Sequence, residues 1–281
     1  MNVSAGAVNG RRGVLFVDAH VHIYDVYDLD ALFDAAVENF ARAARSAGLA
    51  SAARDGMLLL TETARDHAFD ALAAGERRPQ RWKIATTREP AVLRASLDSS
   101  TALWLVAGRQ IATIEDLEVL ALGTTRRFPD REPIKKSLAD AEESAALTVL
   151  PWGFGKWWGA RGGIIENLMH APHKRPLYIG DNGGRLSMST RPRLFQIGER
   201  AGLKVLPGTD PLPFRGQESR VGTFGMVLPD WDPQDRPLAR LVERLGAAAA
   251  APAEFGKLTG IVPFVKLQIA MQLRKRRGAA A

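Results

Sequence analysis

Three side chains able to bind a divalent cation stand two residues apart in Val17-Asp18-Ala19-His20-Val21-His22-Ile23. In an extended strand, residues at i, i+2 and i+4 point to the same side, so Asp18, His20 and His22 are expected to project together. They follow Val14-Leu15-Phe16-Val17, a short continuous apolar run of the kind that forms a strand buried on both faces. The three residues therefore come near that strand's C-terminal end. Two neutral imidazoles at this spacing can chelate one divalent ion, and Asp18 either ligates it or orients an imidazole from behind. The competing reading is a His pair that simply lines a polar interior.

Other strand ends carry further candidates. Glu62 follows the apolar run Met57–Leu60 and is read either as a ligand or as a carboxylate favoured at a helix N-terminus. Asp181 sits in Gly180-Asp181-Asn182-Gly183-Gly184-Arg185, a segment that suits either proton handling or an ordinary Asx turn. Its double Gly and Arg185 also suit backbone approach to an anion. The segment Pro151-Trp152-Gly153-Phe154-Gly155-Lys156-Trp157-Trp158 holds three of the six tryptophans. It is read either as a substrate wall with Lys156 as a cationic contact or as core packing. His67 falls on a helical pattern, and His170 and His173 flank Pro172 in a polar stretch that reads as a loop.

These residues need strands and helices to hold them. Leu29, Leu32, Phe33, Ala36, Val37, Phe40 and Ala44 recur at helical steps, and Gly48 stands where a C-cap belongs. Met57–Leu60 reads as a second buried strand, followed by a helix from about residue 64 to 74. Strand, helix, strand, helix is the rhythm of a parallel α/β sheet or barrel. Between residues 82 and 122 four strands follow one another closely (82–87, 91–97, 102–114 and 117–122), which predicts an embedded antiparallel meander. Buried-strand runs return at 146–150, 177–179 and 204–206, with helices expected over roughly 163–169 and 191–201. Each run ends in a Gly-bearing loop with a carboxylate or an aromatic, as at the mouth of a barrel. The expected architecture is a distorted, TIM-like β/α barrel over 13–257. A flexible lead-in (1–12) precedes it, and a basic helix or tail (258–281) follows.

Composition narrows the classes. The 281 residues are 46% hydrophobic and 25% charged, a globular profile, and the net charge is +7 with a pI near 10.0. Apart from the run Arg274-Lys275-Arg276-Arg277, the cations are scattered, which argues against a nucleic-acid partner and for a solvated basic surface or a small anionic substrate. The absence of cysteine excludes disulfides and thiolate metal sites and is compatible with the cytoplasm. Residues 1–12 lack the apolar stretch of a secretory signal. A membrane-surface role is carried only by the tail, where an apolar stretch from Phe264 to Leu273 precedes the basic run. No nucleophile elbow, Walker loop or dinucleotide fingerprint is present.

The segment Val17–His22 resembles the first-strand signature of metal-dependent β/α-barrel hydrolases, namely the polymerase-and-histidinol-phosphatase (PHP) family and the amidohydrolase superfamily. The order of elements from Val14 to Leu228 is more similar to the former. That resemblance implies a cluster of divalent ions (Mn, Zn or Fe), of uncertain number, held by Asp18, His20, His22, Glu62 and Asp210. It assigns proton handling to Asp181 or Asp210 and contact with an anionic substrate to Lys156, Arg185 and Arg109. Three positions depart from the PHP pattern. Gln110 in Gly108-Arg109-Gln110 replaces a carboxylate, Leu150 before Pro151 replaces a His, and Leu212 after Gly208-Thr209-Asp210 replaces another. The resemblance thus implies a phosphoesterase or, on the amidohydrolase side, a C–N hydrolase. The departures leave open a catalytically degenerate barrel that binds a ligand or a partner.

Overall fold

The computed structural model describes residues 13–49, 54–185, 191–232 and 235–258. The expected lead-in and the tail from 259 onward lie outside the described residues. Among the described residues, strands fall into two mixed sheets. The larger has the order β12 (Ala253–Gly256), β11 (Phe224–Trp231), β1 (Gly13–Val21), β2 (Arg54–Leu60), β5 (Ala102–Val106), β4 (Val92–Ser96) and β3 (Lys83–Thr86). The smaller has the order β10 (Lys204–Pro207), β9 (Leu177–Asp181), β8 (Leu147–Pro151), β7 (Glu118–Leu122) and β6 (Gly108–Ala112).

This arrangement corrects the expected TIM-like barrel. A parallel core does exist: β1, β2 and β5 run parallel, as do β8, β9 and β10. The second neighbour of β1, however, is the antiparallel β11, itself followed by the antiparallel β12. The antiparallel stretch predicted over 82–122 does not stay together either. Strands β3, β4 and β5 belong to the large sheet, whereas the hairpin β6–β7 joins the small one. The break falls at Ala107, inside an apolar run that reads as one strand from sequence. The two sheets nevertheless meet, through residues that follow β2 and β10. Gln110 donates its backbone N–H to the Glu62 carbonyl at 2.8 Å, and Asp210 donates to the His20 carbonyl at 2.8 Å.

Alternation along β1 builds the layers. Leu15, Val17 and Ala19 pack between the sheets with Leu120, Leu122, Val149, Tyr178 and Leu206. Phe16 faces the other way, onto Leu32, Phe33, Ala36 and Phe40 of α1 (Leu29–Ser46). The small sheet is covered on its outer side by α3 (Ile134–Ser144), α4 (Ala160–His170) and α5 (Arg193–Arg200), whose Leu138, Ile165 and Phe195 meet Val119, Leu150 and Ile179. Each fully buried side chain of this size contributes about 1.5–3 kcal/mol. The remaining helices are α2 (Ala68–Ala74) and α6 (Pro237–Ala247).

Local chemistry explains the helix limits. Asp28 caps α1 by accepting the Ala31 N–H at 2.9 Å, and Gly48 takes a left-handed φ of 72° just past its end. Helix α2 starts at Ala68, later than the apolar pattern suggests, because its first turn is held by Glu62, which accepts the Phe69 N–H at 2.6 Å. Among the described residues no helix is long and apolar enough to cross a membrane.

Candidate metal centre

The histidines lie where β1 ends. Up to Ala19 the odd-numbered residues face the space between the sheets, but Val21 and Ile23 pack on the α1 side. The strand's phase therefore reverses, at the register irregularity between Asp18 and Val21. A slip of one residue exchanges the faces of a strand. Asp18 stays on the far side of the slip, and His20 and His22 turn together toward the loop after β10.

That loop completes the cluster. The Nε2 atoms of His20 and His22 are 3.3 Å apart, and each is 3.5 Å from Oδ1 of Asp210. Both imidazoles are buried, whereas Asp210 keeps 24% of its side chain exposed, so the cluster opens to solvent on that side. Gly208 must be glycine for this to occur, since an added Cβ would overlap the backbone N and the Cβ of His20. Asp210 adopts a left-handed φ of 46°, a conformation costing about 1–3 kcal/mol in a non-glycine residue. Asn182 holds its other oxygen at 3.0 Å, and Tyr24 stacks on His22 with centroids 5.2 Å apart.

The donor set fits a divalent cation. With N and O ligands about 2.0–2.1 Å from a tetrahedral zinc ion, neighbouring donor atoms stand about 3.3–3.4 Å apart. The triangle of 3.3, 3.5 and 3.5 Å is close to one face of such a tetrahedron. The Nδ1 atoms of both histidines are buried without a hydrogen-bond partner among the described residues. Burial lowers the pKa of His20, although Asp210 opposes it, and favours the neutral imidazole a metal requires. Burial alone would raise the Asp210 pKa, but His20, His22 and Lys156 hold its carboxyl well below the usual range.

The other expected residues go elsewhere. Asp18 accepts the Thr209 N–H at 2.9 Å, the Thr209 hydroxyl at 2.6 Å, the Gly222 N–H at 2.9 Å and the His20 N–H at 3.3 Å. It is a strut tying β1 to the loop that carries Asp210, and it does not join the donor triangle. Burial pushes its pKa up to about 6 against the pull of those hydrogen bonds. Glu62 is buried in an ion pair with Arg109, which also donates to the Asp66 carbonyl at 3.2 Å. The side chain of Arg109 is thus engaged by Glu62, Asp66 and Asp70. Asp181 forms a buried, two-pronged pair with Arg185, whose Nε and Nη2 reach Oδ2 at 3.0 and 2.6 Å. That pair occupies both the expected base and the expected anion contact. Lys156 does reach the cluster's surroundings, paired with Glu118, which also accepts from the Gln110 amide at 3.1 Å.

Sequence reading missed Arg220, Asn182, Glu118 and Tyr24. Arg220 lies in the single turn of 3₁₀ helix Gln217–Arg220, where burial lowers its pKa and Asp210, Asp18 and Tyr27 raise it. Nothing in its sequence neighbourhood marks it, since its relation to Asp210 comes from the chain folding back. Asn182 was signalled by adjacency to Asp181, and Tyr24 by standing two residues beyond His22.

No protein-family model matches this chain, and no curated protein matches it. A solved structure, PsfC from Pseudomonas syringae PB-5123, is similar to it with a TM-score of 0.50 and 13% identity. The likeness covers 94% of this chain and 99% of that one, and it speaks to the fold alone.

Proposed function

We propose that this chain is a metal-dependent hydrolase of a small anionic substrate, most readily a phosphoester, with one divalent cation held by His20, His22 and Asp210. The observation that carries the reading is the convergence of three donor atoms, 3.3–3.5 Å apart, at a partly open strand end. A divalent cation held by His20, His22 and Asp210 would supply a nucleophile near neutral pH and polarise the substrate oxygen. The chain's own groups supply the rest. Lys156, paired with Glu118, and Arg220 both act on Asp210 electrostatically and bring positive charge to the surroundings of the triangle. Glu118, paired with Lys156 and with 17% of its side chain exposed, is the nearby carboxylate that would take or return a proton. Asn182 fixes the orientation of Asp210.

The test is turnover of a panel of small phosphomonoesters, with C–N substrates alongside, after loading with Zn, Mn or Fe. Phosphoester turnover that disappears in His20→Ala/His22→Ala is the expected result. One observation favours a second reading, a ligand-binding protein with a residual site: Glu62 and Asp181 are both consumed by buried arginines. Metal-loaded protein inert toward the whole panel would support that alternative.

A further inference from the structure

A groove of about 720 Å³ is lined by Trp152, Phe154, Trp157, Trp158, Glu166 and Arg193 among others, and the donor triangle is not part of its lining. That volume lies within the range of small-molecule sites. Phe154 and Trp158 are 50% and 61% exposed and meet edge to face with centroids 5.2 Å apart. Exposed aromatics gathered in one place mark a binding surface more than a solvated one. Gly163, also in the lining, leaves open space, with nothing within 4 Å of where a Cβ would stand.

The groove and the triangle share their supports. Lys156, which acts on Asp210, lies between Phe154 and Trp157 in the loop after β8. Of two consecutive residues at the end of β9, Asp181, its last, holds the groove-lining Arg185 and Asn182, the next, holds Asp210. Charge also divides the two regions. Both arginines lining the groove are neutralised, Arg185 by Asp181 and Arg193 by Glu166 at 2.8 Å. The lining therefore suits an uncharged group with faces for stacking, and the charged end is left to the donor triangle.

We infer that the groove takes the planar ring of the substrate, so that the substrate class is an aryl or heteroaryl phosphoester whose anionic group lies at His20, His22 and Asp210. The inference rests on the hydrolase reading for the anionic end and on the groove for the ring. Binding tests the two parts separately, by titration calorimetry of the metal-loaded chain with 1-naphthylmethylphosphonate, methylphosphonate and neutral 2-naphthol. The naphthyl phosphonate is expected to bind the parent at least about tenfold tighter than methylphosphonate, the scale of one aromatic stacking contact. Trp158→Ala/Phe154→Ala is expected to erase that advantage and leave methylphosphonate affinity within about twofold. Equal affinity of the parent for both phosphonates, or an advantage that survives the double substitution, overturns the inference. The naphthol is expected to bind the parent and His20→Ala/His22→Ala alike, and its failure to bind either one refutes the ring site. A parent that binds the naphthol but neither phosphonate overturns the phosphoester class and leaves the ring site standing.

Discussion

Replacing Glu62 by Gln tests whether this carboxylate is a buried structural group or a ligand. Glu62 is 2% exposed, accepts the Phe69 N–H at 2.6 Å and pairs with Arg109. Burial is the largest influence on it and pushes its pKa from 4.5 to about 7, against the pull of Phe69 and Arg109. The folded chain therefore holds the Glu62 proton more tightly than the unfolded chain between pH 4.5 and 7. Stability from this group is full below pH 4.5 and declines as pH rises through that window. The difference amounts to about 3 kcal/mol, at about 1.4 kcal/mol per tenfold change in proton affinity. The substituted amide cannot titrate, so the parent should lose about 3 kcal/mol relative to the Glu62→Gln variant between about pH 4.5 and pH 8. In urea unfolding, with a slope of about 3 kcal/mol/M, the two midpoints should move by about 1 M relative to each other. Arg109 would keep Asp66 and Asp70 as partners, so the variant is expected to fold. Its metal content should equal the parent's. A midpoint difference that stays constant, or shifts in the parent's favour as pH rises, would show that the Arg109 pair outweighs burial. Loss of metal in the variant would return Glu62 to the ligand set.

Three further substitutions address the support of the triangle. Asp18→Ala removes the acceptor of three buried backbone donors and of the Thr209 hydroxyl; at about 1–3 kcal/mol each it should cost at least about 4 kcal/mol in denaturant unfolding. Gly208→Ala drives a Cβ into His20, so it should abolish metal uptake, read by elemental analysis of the folded fraction. Lys156→Ala leaves all three donors in place, so it should keep the metal while raising the KM for a phosphoester, as seen in steady-state kinetics.

Much of the site could be read in the sequence because it is local. The His20/His22 spacing needs only a strand, and Asp210 stands at the end of another apolar run. Asp18 misled for a reason the sequence hides: a one-residue slip in β1 turns it away from the histidines. For Glu62 the sequence left two readings open, and the structure has the one at a helix N-terminus, with an ion-pair partner, Arg109, that arrives from 47 positions away. Arg185 is only four positions from Asp181, so that pair was within reach of the sequence. The barrel expectation failed at two places. Periodicity reports burial but not strand direction, so the antiparallel β11 beside β1 went unseen. The run from Ala102 to Ile114 was read as one strand, although Gly108, whose missing Cβ admits the Leu60 carbonyl where the sheets meet, and the polar pair Arg109-Gln110 after it mark the division. Helices α3 and α6 also went unread, although Pro237 at the start of α6 is a usual first-turn residue.

The most direct test of the central claim is metal stoichiometry by elemental mass spectrometry on the purified chain, beside His20→Ala/His22→Ala and Asp210→Asn. About one equivalent of zinc or another divalent transition metal in the parent, lost in the histidine variant and weakened in Asp210→Asn, is the predicted result. A parent that stays empty after incubation with each of these metals, or one whose metal survives both sets of substitutions, would contradict it.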